Sequence, residues 1–110
     1  MDLATVQGLH IEKWNFEIDG EMCERNMEKK LKRQGYDFIK YTFPPGMDFP
    51  DHTHNVTKKD SIVSGRFRFS MHGETVILEA GDMIEVPKYV VHNATVVGQD
   101  SVVFYDGTKN

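Results

Sequence analysis

The segment Gly46–Gly65, GMDFPDHTHNVTKKDSIVSG, holds two histidines, His52 and His54, two residues apart and followed by a β-branched run. Pro44, Pro45, Gly46 and Pro50 break the chain just before them. In an extended segment side chains alternate between faces, so imidazoles two apart project from the same face of a sheet. Two neutral imidazoles on one side are the start of a metal site, because ring nitrogens suit zinc, copper, iron and nickel. Histidine pairs on surfaces are common without a metal, so the surrounding pattern has to carry the reading.

From Tyr36 onward the chain consists of short β-branched and aromatic runs separated by Gly, Pro, Asp and Asn, the pattern of a strand meander in a sandwich or barrel. It predicts strands over Tyr36–Phe43, Ser61–Met71, Glu74–Leu78, Met83–Val86, Val90–Val97 and Ser101–Tyr105, and no helix among them. His72 and Gly73 form a two-residue connection in which glycine supplies the positive φ of a tight hairpin. Gly81 and Asp82 turn the chain before the strand that ends at Pro87.

Toward the N-terminus, Leu3, Val6, Leu9, Ile11, Trp14, Phe16 and Ile18 alternate with polar residues, and the pairs Leu9/Ile11 and Phe16/Ile18 have strand spacing. One or two short strands are expected there. Glu21–Gln34 is rich in good helix formers, with Cys23, Met27 and Leu31 on one apolar stripe. Glu21 and Glu24 lie near its start, Lys29–Arg33 near its end, and Gly35 follows where a left-handed cap fits. The basic run reads as a solvated face complementing the helix dipole. Cys23, the only cysteine, reads as a small apolar helix residue, since alone it forms neither an internal disulfide nor a zinc cluster.

The spacings around the histidines resemble those of the cupins. Gly46, five residues, His52-Thr53-His54 and ten residues to Gly65 resemble the first cupin motif; Gly81, five residues, Pro87 and four more to His92 resemble the second. The runs SGRFRF and AGDMIEVP look like the centre of many small cupins, and the resemblance covers roughly Phe43–Val96. It implies an all-β fold with one short N-terminal helix, the jelly-roll barrel or double-stranded β-helix. Residues 1–35 would pack on a barrel of residues 36–110 within a single structural domain. It also implies that His52, His54 and His92 point inward to hold a divalent transition metal: iron, nickel, manganese or zinc.

Two departures from the family pattern change the expected chemistry. Where cupins usually place a glutamate, four residues after the second histidine, this chain has Lys58. An ammonium is donor-only and repels a cation, so three histidines hold the metal alone, or Lys58 points away, or no metal binds. Three-histidine sites occur among cupins, as in cysteine dioxygenase and acetylacetone dioxygenase-like enzymes. A divalent ion with three neutral ligands keeps its charge and seeks an anion. Lys58 is then a candidate catalytic residue, as an electrostatic clamp or proton donor, with pairing to a surface carboxylate as the plainer alternative for it and for Lys59. In the second motif Tyr89 and Val96 replace the usual glycine and asparagine, which alters the loop at the barrel mouth and gives an apolar interior wall.

Charge narrows the remaining options. A net charge of −4 provides no overall positive field for nucleic acid, and no apolar stretch approaches the roughly 18 residues of a membrane helix. A cytoplasmic protein is expected. His10 and His72 read as solvent-facing, Asp60 and Glu85 as either interior or ion-paired. Met47, Phe49, Phe67, Phe69, Met71, Tyr89 and Phe104 supply core, with some free to line an organic-ligand pocket. The resemblance thus implies a metal-dependent small-molecule enzyme, a dioxygenase, isomerase or lyase with an anionic ligand. The alternative is a non-catalytic ligand-binding or sensor module, with or without metal. A homodimer is expected from the family and from open sheet edges, with the segment before Asp19, including Trp14 and Phe16, at the contact.

Overall fold

The computed structural model describes residues 9–109, so the expected contributions of Leu3 and Val6 lie outside the described residues. Two antiparallel sheets face each other as a double-stranded β-helix. The first contains β1 (Ile11–Glu12), β2 (Asp37–Phe43), β4 (Thr57–Ser64), β7 (Met83–Val86) and β9 (Val102–Lys109), in the order β1-β7-β4-β9-β2. The second contains β3 (Asp48–His52), β5 (Arg66–Met71), β6 (Glu74–Leu78) and β8 (His92–Val97), in the order β3-β8-β5-β6. Period-two alternation sends Ile62, Phe67, Phe69, Leu78, Ile84, Val96, Val102 and Phe104 into the space between them, where they form one core.

The first sheet is covered on its outer face as well. Helix α2 (Glu24–Arg33) presses Met27 and Leu31, both fully buried, against Tyr36, Met83 and Tyr105. Burial of two such side chains contributes about 1.5–3 kcal/mol each. The helix ends as its sequence predicts. Gly35 has φ +86, its N–H donates to Lys32, and the Tyr36 N–H donates to Leu31, the paired bonds of a Schellman cap. Cys23 sits at the N-cap without a side-chain capping bond.

Four readings of the sequence change here. Phe16 and Ile18 belong to a helical turn, α1 (Phe16–Asp19), and not to a strand, because the Asn15 side chain accepts from the Glu17 and Ile18 N–H groups. The basic run of α2 is not wholly solvated. Lys30 is buried, 2.7 Å from Asp19 and 3.4 Å from Glu12, with its ammonium 4.9 Å from the Trp14 ring centre. Finally, Asp48–His52 is a strand that its prolines concealed. Pro50 is tolerated because β3 is an edge strand. Ser61–Met71 is two strands, β4 and β5, separated at Gly65.

Two glycines with the same handedness meet different surroundings. At Gly65 (φ +81) a Cβ would overlap the Ser101 carbonyl oxygen, while at Gly73 (φ +76) it would meet nothing within 4 Å. Gly65→Ala is expected to lower unfolding stability by about 2–4 kcal/mol and Gly73→Ala by roughly 1 kcal/mol, read as urea midpoints at unchanged slope. Equal losses at the two positions would show that backbone handedness alone, without the Ser101 contact, sets the cost.

Candidate metal centre

His52 reaches the interior through a break in strand register. Phe49 pairs with Ala94 and His52 with His92, so three steps along β3 match two along β8. In a regular strand, residues three apart point to opposite faces. The extra residue of the bulge restores His52 to the face shared by Phe49. His92 opens β8 as the direct cross-strand partner of His52, and its ring stacks near Phe69 with centroids 5.7 Å apart. His54 lies just beyond β3. Its carbonyl accepts the Tyr89 N–H at 2.7 Å, which ties this loop to the one leading into β8.

The three imidazoles converge, with ring centroids separated by 4.2 Å (His52–His92), 4.8 Å (His52–His54) and 5.0 Å (His54–His92). One ring nitrogen from each lies within 4.8 Å of the others, a span that small ring rotations close onto an ion with metal–nitrogen distances of about 2.0–2.1 Å. Two rings are pre-oriented. His52 Nδ1 is 2.7 Å from the Pro50 carbonyl and His92 Nδ1 is 2.9 Å from the Val90 carbonyl. A carbonyl only accepts, so each Nδ1 carries the hydrogen and each Nε2 keeps its lone pair, the tautomer that ligates. Burial, reinforced by His92, His52 and Lys58, lowers the pKa of His54. Burial also lowers that of His92, aided by His52 and outweighing the opposing bond to Val90. Both rings are therefore neutral at neutral pH, as a metal requires. The donor set fits a borderline divalent transition metal.

The histidines sit on the wall of a cavity of about 300 Å³ whose other walls are Tyr41, Phe43, Phe49, Phe67, Ala94 and Phe104, together with Asp60 and Asp106. Lys58 shares the inward face of β4 with Asp60, but its ammonium is engaged, 3.3 Å from Asp106 and 2.9 Å from the Thr108 hydroxyl. Lys59 points the other way, buried beneath α2 between Glu12 and Gln34, each at 2.6 Å. Glu85 also lies on that outer face, accepting from the Tyr36 hydroxyl. His10 and His72 are exposed. Val96 is buried in the core, and Tyr89 is 68% exposed at φ +67, a left-handed backbone that favours glycine. Asp106 escaped the sequence reading. Its signal was the inward series Val102, Phe104, Asp106, which continues one step past the expected strand end at Tyr105.

Asp60 and Asp106 are direct cross-strand partners. Burial and the Asp106 carboxylate push Asp60 up to about 7, against the pull of Lys58.

A double-stranded β-helix with three inward histidines on one cavity wall defines the cupin class. The chain belongs to the cupin family: the family described as Cupin domain matches residues 39–107. A comparison with curated proteins finds no match. Similar solved structures include a conserved Streptococcus pyogenes protein, SPY1581, with 16% identity, TM-score 0.61, and 68% of this chain matched to 64% of that one. An RmlC-like cupin from Shewanella frigidimarina has 26% identity, TM-score 0.60, and coverage of 66% and 64%. KdgF from Halomonas has 25% identity, TM-score 0.57, and coverage of 67% and 71%. The match thus spans under two thirds of the first two chains. No helix among the described residues is long and apolar enough to cross a membrane.

Because the folded midpoints of His54 and His92 lie below the unfolded value of about 6.5, these rings bind fewer protons folded than unfolded. Their contribution to stability is intact above that pH and is lost as pH falls through the folded midpoints. Both ring resonances should titrate below 6.5 in an NMR pH series, and Lys58→Met should raise the His54 midpoint by removing a positive neighbour. A His54 midpoint unmoved by that substitution would contradict the electrostatic coupling.

Proposed function

We propose that this cupin is a metal-dependent enzyme acting on a small anionic organic molecule, with a divalent iron, nickel, manganese or zinc ion held by His52, His54 and His92. The observation that carries the reading is the hydrogen bonding of the Nδ1 atoms. Two of the three rings are locked with Nε2 free, and the rings converge at a cavity instead of satisfying one another. Three neutral imidazoles leave the ion's charge uncompensated, which favours an anionic group from the ligand. When bound, the metal supplies Lewis acidity to an oxygen of that ligand. Phe43, Phe49, Phe67 and Phe104 give apolar surface that holds the organic part and excludes water. Lys58 and Asp106 meet at 3.3 Å on the opposite side of the cavity, which fixes a polar pair beside the aromatic wall.

Chelator-stripped protein titrated by calorimetry with zinc, nickel and anaerobic iron should take up a single ion per chain. Loss of an outer-shell partner of a ligand typically costs about 10–100-fold in affinity, so His92→Ala, which removes a ligand outright, should cost more. Absence of stoichiometric uptake of all three metals by the wild type would overturn the reading.

We also infer a homodimer. Trp14 is occupied within the chain, packed at Gly81 and donating to the Gly20 carbonyl, whereas Phe16 and Ile18 are 70% and 73% exposed and available for a contact. Light scattering should give a dimer mass that Phe16→Ser/Ile18→Ser reduces to the monomer value. A monomer mass for the wild type at micromolar concentrations would contradict it.

A further inference from the structure

The cavity has two chemically different sides. His52 and His92 belong to the sheet containing β3 and β8. Facing them from the other sheet are Asp60 of β4 and Asp106 of β9, both lining the same cavity. Cross-strand neighbours have Cβ atoms about 4.5–5.5 Å apart, too close for two ionised carboxylates in an apolar setting without a cost.

The two carboxylates meet different surroundings. Asp106 is met by the Lys58 ammonium at 3.3 Å. Asp60 makes no hydrogen bond or ion pair with a described residue. Its other cross-strand neighbour is Ile84, and Phe104 is close by on the cavity wall. The groups bearing on Asp60 are Asp106 from β9, Lys58 from its own strand, and the three histidines from the far wall. Asp106 disfavours its charge and Lys58 favours it. The midpoint near 7 described above fits this balance, and a group that titrates at working pH both gives and takes a proton readily.

We propose that Asp60 is the acid–base catalytic residue of this site, with Asp106 and Lys58 as its positioning residues, and that the substrate is a small carbonyl compound bearing a carboxylate. The assignment rests on the metal reading above. The carboxylate and carbonyl oxygens of such a compound suit the histidine side, and the carbon next to the carbonyl then faces the sheet that carries Asp60. The Asp60 carboxylate forms an O–H bond as that carbon loses its proton. The C–H electron pair becomes a carbon–carbon double bond, and the carbonyl π pair moves to the carbonyl oxygen. Where the substrate carries a β,γ double bond, collapse of that oxygen pair shifts the double bond to the α,β position, and the Asp60 proton is delivered to the γ carbon, which completes an isomerisation; departure of a β-substituent with its bonding pair completes an elimination. Neither route consumes an oxidant, which places the reaction among isomerases and lyases.

Two measurements test this. Carbon-detected NMR of the side-chain carboxyls in metal-free protein should show Asp60 titrating well above the ordinary carboxylate range. Its midpoint should fall in Asp106→Asn and rise in Lys58→Met. An Asp60 midpoint in the ordinary range overturns the proposal whether or not metal binds. With zinc- or nickel-loaded protein and pyruvate in D2O, deuteration of the methyl group should exceed that with the free metal. Asp60→Asn should slow it by about 100-fold or more while metal uptake is unchanged. Undiminished exchange in that variant, or no exchange above the free-metal rate in metal-loaded wild type, refutes the assignment and leaves the metal site standing. Failure to take up metal instead defeats the reading beneath it, and the carboxyl titration then decides Asp60 alone.

Discussion

The pairing of β4 with β9 is the constraint on which the two halves of the molecule depend. Its register sets Lys58 opposite Thr108, Asp60 opposite Asp106 and Ile62 opposite Phe104 on the inner face, and Lys59 opposite Gly107 and Ser61 opposite Tyr105 on the outer face. A slip of one residue on β4 would carry Lys59 and Ser61 into the barrel and push Ile62 beneath the helix. Gly107 contributes to holding the register. A side chain there would meet the Lys59 carbonyl at 3.1 Å and the Tyr36 ring at 3.2 Å, so its absence lets α2 and its flanking residues lie close to the sheet.

The two faces of this sheet solve opposite problems. Inside, charge is sparse and placed beside an aromatic cavity. Outside, two buried lysines are tolerated because each ammonium has carboxylate or amide partners. Gln34 donates to Glu12 and accepts from Lys59, Lys59 donates to Glu12, and Lys30 joins Glu12 to Asp19. Burial pushes the Asp19 carboxyl up, but the bonds from Lys30 and the Asn15 N–H, with Arg33 nearby, hold it below its ordinary value. Removing one member would strand a buried charge, which is far more costly than the intact pair is favourable. The network therefore serves chiefly to fix how the N-terminal segment sits on the barrel.

Much of this was legible in the sequence, and the failures have specific causes. The glycine, histidine and proline spacings located His52, His54 and His92, and the Gly35 stop located the end of α2. The strand at Asp48–His52 was hidden because proline argues against strands in general, whereas an edge position removes the objection. Phe16 and Ile18 looked like a strand because period two over so few residues also fits a helical turn, and the Asn15 cap decides between them. The direction of Lys58 was readable from alternation with Ile62, but its partner was not. Asp106 lies nearly fifty positions downstream, and only the β4–β9 register brings the two together.

Trp14, the only tryptophan in the chain, is not in the barrel core. It lies against Gly81, with the Lys30 ammonium over its ring and its indole N–H held by the Gly20 carbonyl. Its emission is therefore a selective reporter of the N-terminal arm. Quenching by the adjacent cation and shielding from solvent both depend on the arm remaining docked. An optical signal excited at the indole would follow the arm's departure, and would stay silent about the strands that carry the histidines.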